Sequence, residues 1–331
     1  MFRPFIDPDA PLLDARFPLS LEDPFTAADA RGSGIHSSEL SVLCEQGYVR
    51  RLLRGVYVAA QVPDSLELRA AALRLVVPRD AVVTDRTAGW LVGAPMVLAP
   101  GDHLVVPTVS MFVSREGARL RNKLSSSGER ALRPDEVMEV LGLRVTTPLR
   151  TACDLGRLLS RDRAFAALDA MLRLGVFTRE ELLEAVEQFR GMRGVRQLRG
   201  FAPLADGRAE SPGESILRLR WLDLLVLPRP ELQIEIERSG RLSYWLDLGV
   251  VELRFAVEYD GEEWHRRTPA QRERDRKRRT WLRDERDWII EPVTKDNVFG
   301  HHRDIESILV LGVRNARRRL SQQPGRGLAA R

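Results

Sequence analysis

The stretch Leu253-Arg-Phe-Ala-Val-Glu-Tyr-Asp260 determines how the C-terminal part of this chain is expected to fold. Apolar side chains occupy every second position from residue 253 to residue 259, and this alternation predicts a β-strand with one apolar face. Glu258 and Asp260 then project together from the other face, about 7 Å apart at Cα from the rise of a strand. The stretch therefore predicts a strand that presents two carboxylates side by side.

A third carboxylate belongs to the strand predicted just before, over residues 242–248. Asp247 ends that strand, and a short turn at 249–252 returns the chain, so Asp247 can reach the same end of the sheet. Neighbouring carboxylates repel one another and resist ionisation, whereas a hard divalent cation removes that penalty and accepts oxygen ligands. The pattern predicts Mg²⁺ or Mn²⁺ held by Asp247, Glu258 and Asp260.

The segments around these strands complete a regular order of elements. Ser211-Pro-Gly-Glu214 is typical of a helix start, with serine at the cap, proline at the first helical position and glutamate at the third. Glu214 is explained equally by this capping position and by a catalytic role, and both interpretations stay open. The predicted order is α-β-β-β-α-β-α, with further strands at 232–236 and 288–293 and further helices at 269–286 and 301–317.

The helix predicted at 269–286 is strongly basic. Residues 266–286 contain ten Lys or Arg and four Asp or Glu, whereas the whole chain has 52 basic and 47 acidic residues and a net charge of +5. A local cluster of positive charge neutralises phosphates and releases counterions. The alternative is a helix face that is only solvated by water. The candidate contacts to a DNA backbone are Arg266, Arg267, Arg274, Lys277 and Arg278.

Residues 21–62 carry the parts of a winged helix-turn-helix. Thr26-Ala-Ala-Asp29 begins a short helix as a capping box, a glycine-containing break follows, and a second helix is predicted at 37–46. Two short strands around a turn at Arg54-Gly55 come next. Such modules place the second helix in a major groove and the ribbon along the backbone. The alternative is a small helical subdomain with a solvated basic hairpin. The candidate DNA contacts are Ser37, Ser38 and Ser41 on the helix and Arg50, Arg51 and Arg54 on the ribbon.

Length, hydropathy and cysteine content exclude several classes of protein. With 331 residues, 44% of them apolar, the chain can build more than one core. It has no apolar run near the ~18 residues of a membrane span, and residues 1–14 lack the pattern of a secretory signal. Cys44 and Cys153 stand far apart without a metal-binding or disulfide pattern. These features predict a cytoplasmic protein that does not associate with membranes.

Two motifs after the N-terminal module stand out by resemblance. Asp85-Arg-Thr-Ala88 and Thr147-Pro-Leu-Arg-Thr-Ala-Cys-Asp154, together with the preceding module, resemble the antitoxins of AbiEi-type (type IV) toxin–antitoxin and phage-exclusion systems, over about residues 20–200. The resemblance implies a winged helix that binds operator DNA, a following domain that supports antitoxicity, and a cognate toxin as partner. The alternative for Arg86, Arg150 and Asp154 is an ion-pair network that ties helices together.

A second resemblance covers residues 206–318. Ser-Pro-Gly-Glu214, Leu-Asp247 and Val-Glu258-Tyr-Asp260-Gly-Glu-Glu-Trp-His265, extended by the run 272–282, resemble the Vsr-like branch of the PD-(D/E)xK nuclease superfamily. The resemblance implies that Asp247 and Glu258 bind metal, that Glu214 assists through water, and that Asp260 and His265 position metal, water or phosphate. Asp260 stands where the superfamily usually has a lysine, so the group that activates water stays open between His265 and Lys277.

The expected fold class is therefore α/β multidomain: an N-terminal winged helix-turn-helix, an α+β middle domain and a C-terminal restriction-endonuclease-like domain. The predicted boundaries are 1–20 for a loosely held arm, 21–62 for the winged helix, 63–203 for the middle domain, 204–213 for a polar linker, 214–318 for the nuclease-like domain and 319–331 for a flexible tail.

Two functions fit this organisation. The first is a metal-dependent DNA endonuclease that its winged helix targets, in phage defence or a toxin–antitoxin system. The second is a non-enzymatic DNA-binding antitoxin or transcriptional regulator with an inactive nuclease fold. The retained carboxylates favour the first, because like charges held together need a chemical reason. The missing lysine favours the second.

Overall fold

The computed structural model describes residues 11–100, 102, 108–113, 125–126, 131–238, 240, 243–261 and 268–322. Packing divides the chain into two compact units. The first comprises residues 1–96, 101–155 and 180–190, and the second comprises residues 97–100, 156–179 and 191–331.

The first unit begins with two short helices and a small sheet. The capping box predicted at its first helix is confirmed: Thr26 Oγ1 accepts from the Asp29 amide at 3.1 Å, and the Asp29 carboxylate accepts from the Thr26 amide at 2.8 Å. Among the described residues the strands form an antiparallel three-stranded sheet in the order β1-β3-β2. The elements are β1 (Phe25–Thr26), α1 (Ala27–Gly32), α2 (Ser37–Glu45), β2 (Val49–Leu53) and β3 (Val56–Ala59).

The described part of the predicted arm is packed rather than loosely held. Leu13 and Phe17 are each only 5% exposed and belong to the same core as Phe25, Ile35 and Leu43. The rings of Phe17 and Phe25 lie 6.0 Å apart. The prediction of a loose arm was wrong for these residues, because the free energy gained by burying two apolar side chains outweighs the lack of regular structure in this proline-containing segment.

The rest of the first unit is built on a second sheet. The described strands run in the order β6-β5-β4-β8-β7, with β4 parallel to β8 and antiparallel to β5. The apolar run at 103–107 predicts a further strand, and these residues lie outside the described ranges. The elements are α3 (Leu66–Arg74), β4 (Ala81–Val83), α4 (Asp85–Leu91), β5 (Val109–Val113), β6 (Ser125–Ser126), β7 (Val137–Val140), β8 (Leu143–Thr146), α5 (Pro148–Leu158, within this unit up to residue 155) and α7 (Arg179–Val186, from residue 180).

The second unit contains the predicted C-terminal order of elements with one short helix added. Its described strands form a sheet in the order β12-β11-β10-β9, in which β11 and β12 are parallel and the other pairs are antiparallel. The α/β class is confirmed. The elements are α6 (Arg161–Leu172), α8 (Val195–Phe201), α9 (Pro212–Asp223), β9 (Glu231–Glu237), β10 (Ser243–Val250), β11 (Phe255–Asp260), α10 (Pro269–Arg286), β12 (Ile289–Thr294), α11 (Lys295–Val298) and α12 (Ile305–Ser321).

Strand β11 is covered on both faces, whereas its alternating sequence predicted one apolar face. On one face Phe255 contacts Trp221 of α9, with ring centroids 5.7 Å apart. Helices approach this face closely because they present glycine: a Cβ at Gly213 would lie 2.0 Å from the Tyr259 ring, and one at Gly312 would lie 2.2 Å from the Phe255 ring. On the other face Ala256 packs with Leu282 of α10. The carboxylates of Glu258 and Asp260 share this second face.

The segment predicted as a linker, 204–213, is packed into the second unit. Ala205 and Ala209 are 1% and 4% exposed, and the amide of Asp206 donates to Asp169 Oδ1 at 2.8 Å. The same Asp169 carboxylate accepts two hydrogen bonds of 2.8 Å from Arg218. The polar composition suggested a linker, and that prediction was wrong. The segment forms a turn whose backbone hydrogen-bonds a buried carboxylate, and buried polar groups need such partners.

Several boundaries differ from those predicted. Strand β10 continues to Val250, so Asp247 lies within the strand and not at its end. The last helix begins at Ile305 and ends at Ser321, past the predicted domain end at 318, and the remaining tail lies outside the described residues. Within the described ranges, no helix is both long and apolar enough to span a membrane.

Candidate functional site

Glu258 and Asp260 are buried carboxylates that two arginines of α10 neutralise. Glu258 is 3% exposed, and its two oxygens accept from Arg278 Nη2 at 2.5 Å and Arg279 Nε at 2.9 Å. Asp260 Oδ2 accepts from Arg279 Nη2 at 2.9 Å. Arg278 and Arg279 lie one helical turn before Leu282, which packs on the same face of β11. Helix packing therefore places both guanidinium groups on the carboxylates.

Asp247 lies beside this cluster on the neighbouring strand. Its Oδ2 accepts from the Tyr259 amide at 2.8 Å. Burial, together with the negative charges of Glu214 and Glu258, raises the pKa of Asp247 to about 7, although the Tyr259 hydrogen bond and the Arg278 charge act to lower it. Asp247 thus takes up a proton near neutral pH, which is the expected response of a carboxyl group crowded by like charge.

Glu214 serves as a helix cap and also contributes to the acidic cluster. The Ser211 hydroxyl accepts from the Glu214 amide at 3.2 Å and donates to its Oε1 at 2.9 Å, and the Glu210 amide donates to Oε2 at 2.8 Å. Gln233 of β9 also donates to Oε2, at 3.2 Å. Burial raises the pKa of Glu214 above its usual value, although the hydrogen bonds from the Glu210 amide and the Ser211 hydroxyl act to lower it. The capping interpretation of Glu214 is therefore confirmed, and its catalytic role stays a prediction.

The arrangement does not fit a divalent cation held jointly by Asp247, Glu258 and Asp260. Such a cation needs free carboxylate oxygens, whereas both oxygens of Glu258 and one of Asp260 accept from guanidinium groups. Within the described ranges, no group of three or more His, Cys, Asp or Glu side chains is arranged to hold a metal ion. The arginines supply the positive charge that the sequence assigned to Mg²⁺ or Mn²⁺. Binding of either metal stays a prediction.

The remaining predicted residues of this region differ in their exposure and in their contacts. His265, Arg266 and Arg267 lie outside the described residues. Arg274 and Lys277 are exposed on α10, and Lys277 Nζ lies 3.7 Å from Glu273. Arg278 points inward instead, where its other terminal nitrogen donates to the carbonyl of Trp245 at 3.1 Å. The sequence missed Arg279, since nothing in the basic run distinguishes an inward arginine from an outward one.

The predicted DNA contacts of the N-terminal module are mostly exposed. Ser37, Ser38 and Ser41 lie at the surface of α2, where the Ser41 hydroxyl donates to the Ser37 carbonyl at 3.1 Å. Arg51 and Arg54 are exposed on the hairpin. Arg50 is half-buried, and its guanidinium donates to the carbonyl of Val62 at 2.8 Å. The Arg50 side chain is therefore engaged in a contact within the protein. The five exposed residues are Ser37, Ser38, Ser41, Arg51 and Arg54.

Arg150 and Asp154 form a buried polar network in the first unit. Arg150 Nη1 lies 2.6 Å from Glu136 Oε2, and its Nε lies 3.0 Å from Asp154 Oδ2. The guanidinium also lies 5.2 Å from the centre of the Phe189 ring. The interpretation of this motif as an ion-pair network is confirmed, and Arg86 pairs similarly with Asp102 at 3.0 Å. Glu136 was missed because it lies 14 positions before Arg150, beyond any local pattern.

Two protein families match parts of the first 203 residues of the chain. Residues 19–60 match the family described as "Transcriptional regulator, AbiEi antitoxin", and residues 80–203 match "AbiEi antitoxin C-terminal domain". Neither match extends past residue 203, so the nuclease-like character of 206–318 stays a prediction. Uncharacterized proteins from two strains of Mycobacterium tuberculosis are each 38% identical over 269 residues, which is 78% of this chain and 90% of the relative. The chain therefore belongs to the family of these mycobacterial proteins and carries two AbiEi antitoxin regions one after the other.

Proposed function

We propose that this protein is a DNA-binding regulator of the AbiEi antitoxin type. The supporting observation is that a family match and exposed elements fall in the same region. Residues 19–60, which match the regulator family, contain two helices and a hairpin that leave Ser38 and Arg54 exposed. In the proposed complex these elements act as a winged helix-turn-helix, with α2 in the major groove and the hairpin along the phosphate backbone. A cognate toxin is the protein partner that the antitoxin regions suggest.

Substitution of Arg54 tests the proposed DNA contact. Arg54 lies at the hairpin turn before Gly55, and its side chain has no hydrogen-bond or ion-pair partner among the described residues. Arg54→Ala should weaken binding to duplex DNA and lower the slope of log K against log salt by about 1, as for one lost phosphate contact. The measurement is a salt titration of fluorescence anisotropy with the full chain.

The matched control is Arg79→Ala, which removes an exposed arginine of the same compact unit outside the helices and hairpin. Arg79→Ala should leave the salt slope unchanged. If both variants bind as the wild type does, the hairpin does not contact DNA. If the wild type itself shows no salt-dependent binding to any duplex, the proposed function is wrong.

The proposed role of the acidic cluster on the C-terminal sheet is to stabilise the fold, without hydrolysis of DNA. Arg278 and Arg279 already neutralise Glu258 and Asp260, and a cation bound there would first have to displace two charge-assisted hydrogen-bonded groups. In this arrangement the acidic cluster is a structural feature that fastens α10 to β11.

Phosphodiester hydrolysis is the second candidate function, because Glu214, Asp247 and Glu258 lie close enough for their charges to interact. The test is incubation of plasmid DNA with the full chain and Mg²⁺ or Mn²⁺, followed by gel electrophoresis. The main proposal predicts intact plasmid at every metal concentration. Cleavage by the wild type that disappears in Asp247→Ala and in Glu258→Ala would replace the main proposal with the second.

A further inference from the structure

The exposed face of α12 carries a cluster of arginines that the sequence analysis did not single out. Arg314, Arg317 and Arg318 are all exposed, while Val313 and Ala316 are buried on the opposite face. Residues at spacings of three and four lie about 5 to 6 Å apart at Cβ on a helix. The three side chains therefore form one patch, which we call the α12 arginine cluster.

The described part of the chain offers this cluster no ion-pair partner. Across the described residues, none of the three guanidinium groups forms an ion pair or a side-chain hydrogen bond. Two exposed arginines of α10 differ: Arg276 lies 2.8 Å from Glu273, and Arg283 lies 2.8 Å from Asp284. Like charges at helical spacing destabilise a helix when they have no partner. The contacts of the described residues thus give no reason for three neighbouring arginines on α12.

We propose that the α12 arginine cluster binds the phosphate backbone of DNA, as a second contact besides the N-terminal module. This inference rests on the proposed DNA-binding function. From 314 to 318 the helix rises about 6 Å, a length over which one DNA strand presents about two phosphates. Guanidinium groups bind phosphate oxygens through several donors in a fixed geometry, which is why arginine is common at such contacts.

A lipid surface fits the cluster less well than DNA does. A helix that lies on a membrane inserts its apolar face between the headgroups. The apolar face of α12 is already used inside the protein, since Leu309 and Val313 are buried and Gly312 approaches the Phe255 ring. An acidic protein surface remains an outcome that the experiment separates.

The test compares two full-length triple variants that lose the same amount of charge. Arg314→Gln/Arg317→Gln/Arg318→Gln removes the cluster. Arg276→Gln/Arg283→Gln/Arg303→Gln removes three exposed arginines of the same compact unit, each of which has a carboxylate partner. Glutamine is a good helix former, so both variants should fold, which circular dichroism melting curves check. The probe is a duplex of mixed sequence, titrated over a range of salt concentrations.

The expected result is a decrease of about 2 in the slope of log K against log salt for the α12 variant, from about two lost phosphate contacts at roughly 0.9 each. The control variant should keep the wild-type slope. Equal decreases in both variants would indicate a general effect of net charge and would overturn the inference. It would also be overturned if the α12 variant kept the wild-type slope for DNA but lost binding to poly-glutamate, which would indicate an acidic protein partner.

The Arg54→Ala variant separates this inference from the proposed function. If Arg54→Ala weakens DNA binding and the α12 variant binds normally, the regulator proposal stands and the second contact is wrong. If the wild type does not bind the duplex, both are wrong.

Discussion

Asp247 lies in a position where a negative charge is unfavourable. It is surrounded by the carboxylates of Glu214 and Glu258, and its compensating contacts are the Tyr259 amide and the Arg278 charge. Burial and like charge together raise its pKa from the ordinary 3.8 to about 7. Since the unfolded chain has the ordinary pKa, the folded protein binds an extra proton between these two values.

Substitution of Asp247 by asparagine should therefore change how stability depends on pH. The raised pKa means that the wild type loses stability as pH rises from about 4 to about 7, and the full penalty is present above pH 7. The side-chain amide introduced by Asp247→Asn would keep an oxygen for the Tyr259 amide without this penalty. Relative to the wild type, the variant should gain on the order of 1 to 3 kcal/mol more at about pH 8 than at about pH 5.

The measurement is urea unfolding of both proteins at the two pH values. Asp296→Asn, at an exposed position, serves as the control and should follow the wild-type pH dependence. An identical difference between Asp247→Asn and the wild type at both pH values would show that the carboxyl group is ionised throughout.

For single residues, the sequence predicted where Glu258 and Asp260 lie on the strand but not the arginines that pair with them. The alternation of β11 placed Glu258 and Asp260 on one face, because side-chain direction in a strand is a local property. Their pairing with Arg278 and Arg279 depends on how α10 packs across the sheet, 19 to 21 positions later in the chain. Local patterns do not contain that information, so the sequence alone favoured a metal.

Among the elements, α6 and α9 are joined by the most buried ion pair of the described second unit. Asp169 is 1% exposed, and Arg218 contacts both of its oxygens and lies 4.7 Å from the centre of the Phe165 ring. A second pair, Arg220 with Asp162, joins the same helices, but Asp162 is 35% exposed. A charge left alone in the interior costs far more than one that water can reach.

Two arginine variants distinguish these positions. Arg218→Met should destabilise the protein by about 3 to 5 kcal/mol, because it leaves Asp169 buried without its counter-charge. Arg220→Met removes the same group from a neighbouring position of the helix, yet water can solvate Asp162, and a loss of about 1 kcal/mol is expected. Guanidinium chloride unfolding of both variants provides the comparison. Equal losses would contradict the difference in burial on which the prediction depends.

For the whole molecule, compact units and matched sequence regions do not coincide. The antitoxin match ends at residue 203. The second compact unit already contains residues 156–179 and continues from residue 191, so it includes α6 and α8 together with the C-terminal sheet. The predicted linker at 204–213 therefore does not separate two independently folded bodies. Stability and function of residues after 203 are best studied in the full chain.

The sequence by itself determined the position and type of most elements after residue 211, the capping box at Thr26 and the two faces of β11. These features depend on neighbours within a few residues, through backbone hydrogen bonds and side-chain alternation. The predicted helix at 269–286 coincides with α10 for the same reason. Only the tertiary structure decided that arginines neutralise Glu258 and Asp260, that Asp247 holds a proton near pH 7, and that the polar segment at 204–213 is packed. Each of these depends on contacts between residues far apart in the chain, such as Asp169 and Arg218, which are 49 positions apart.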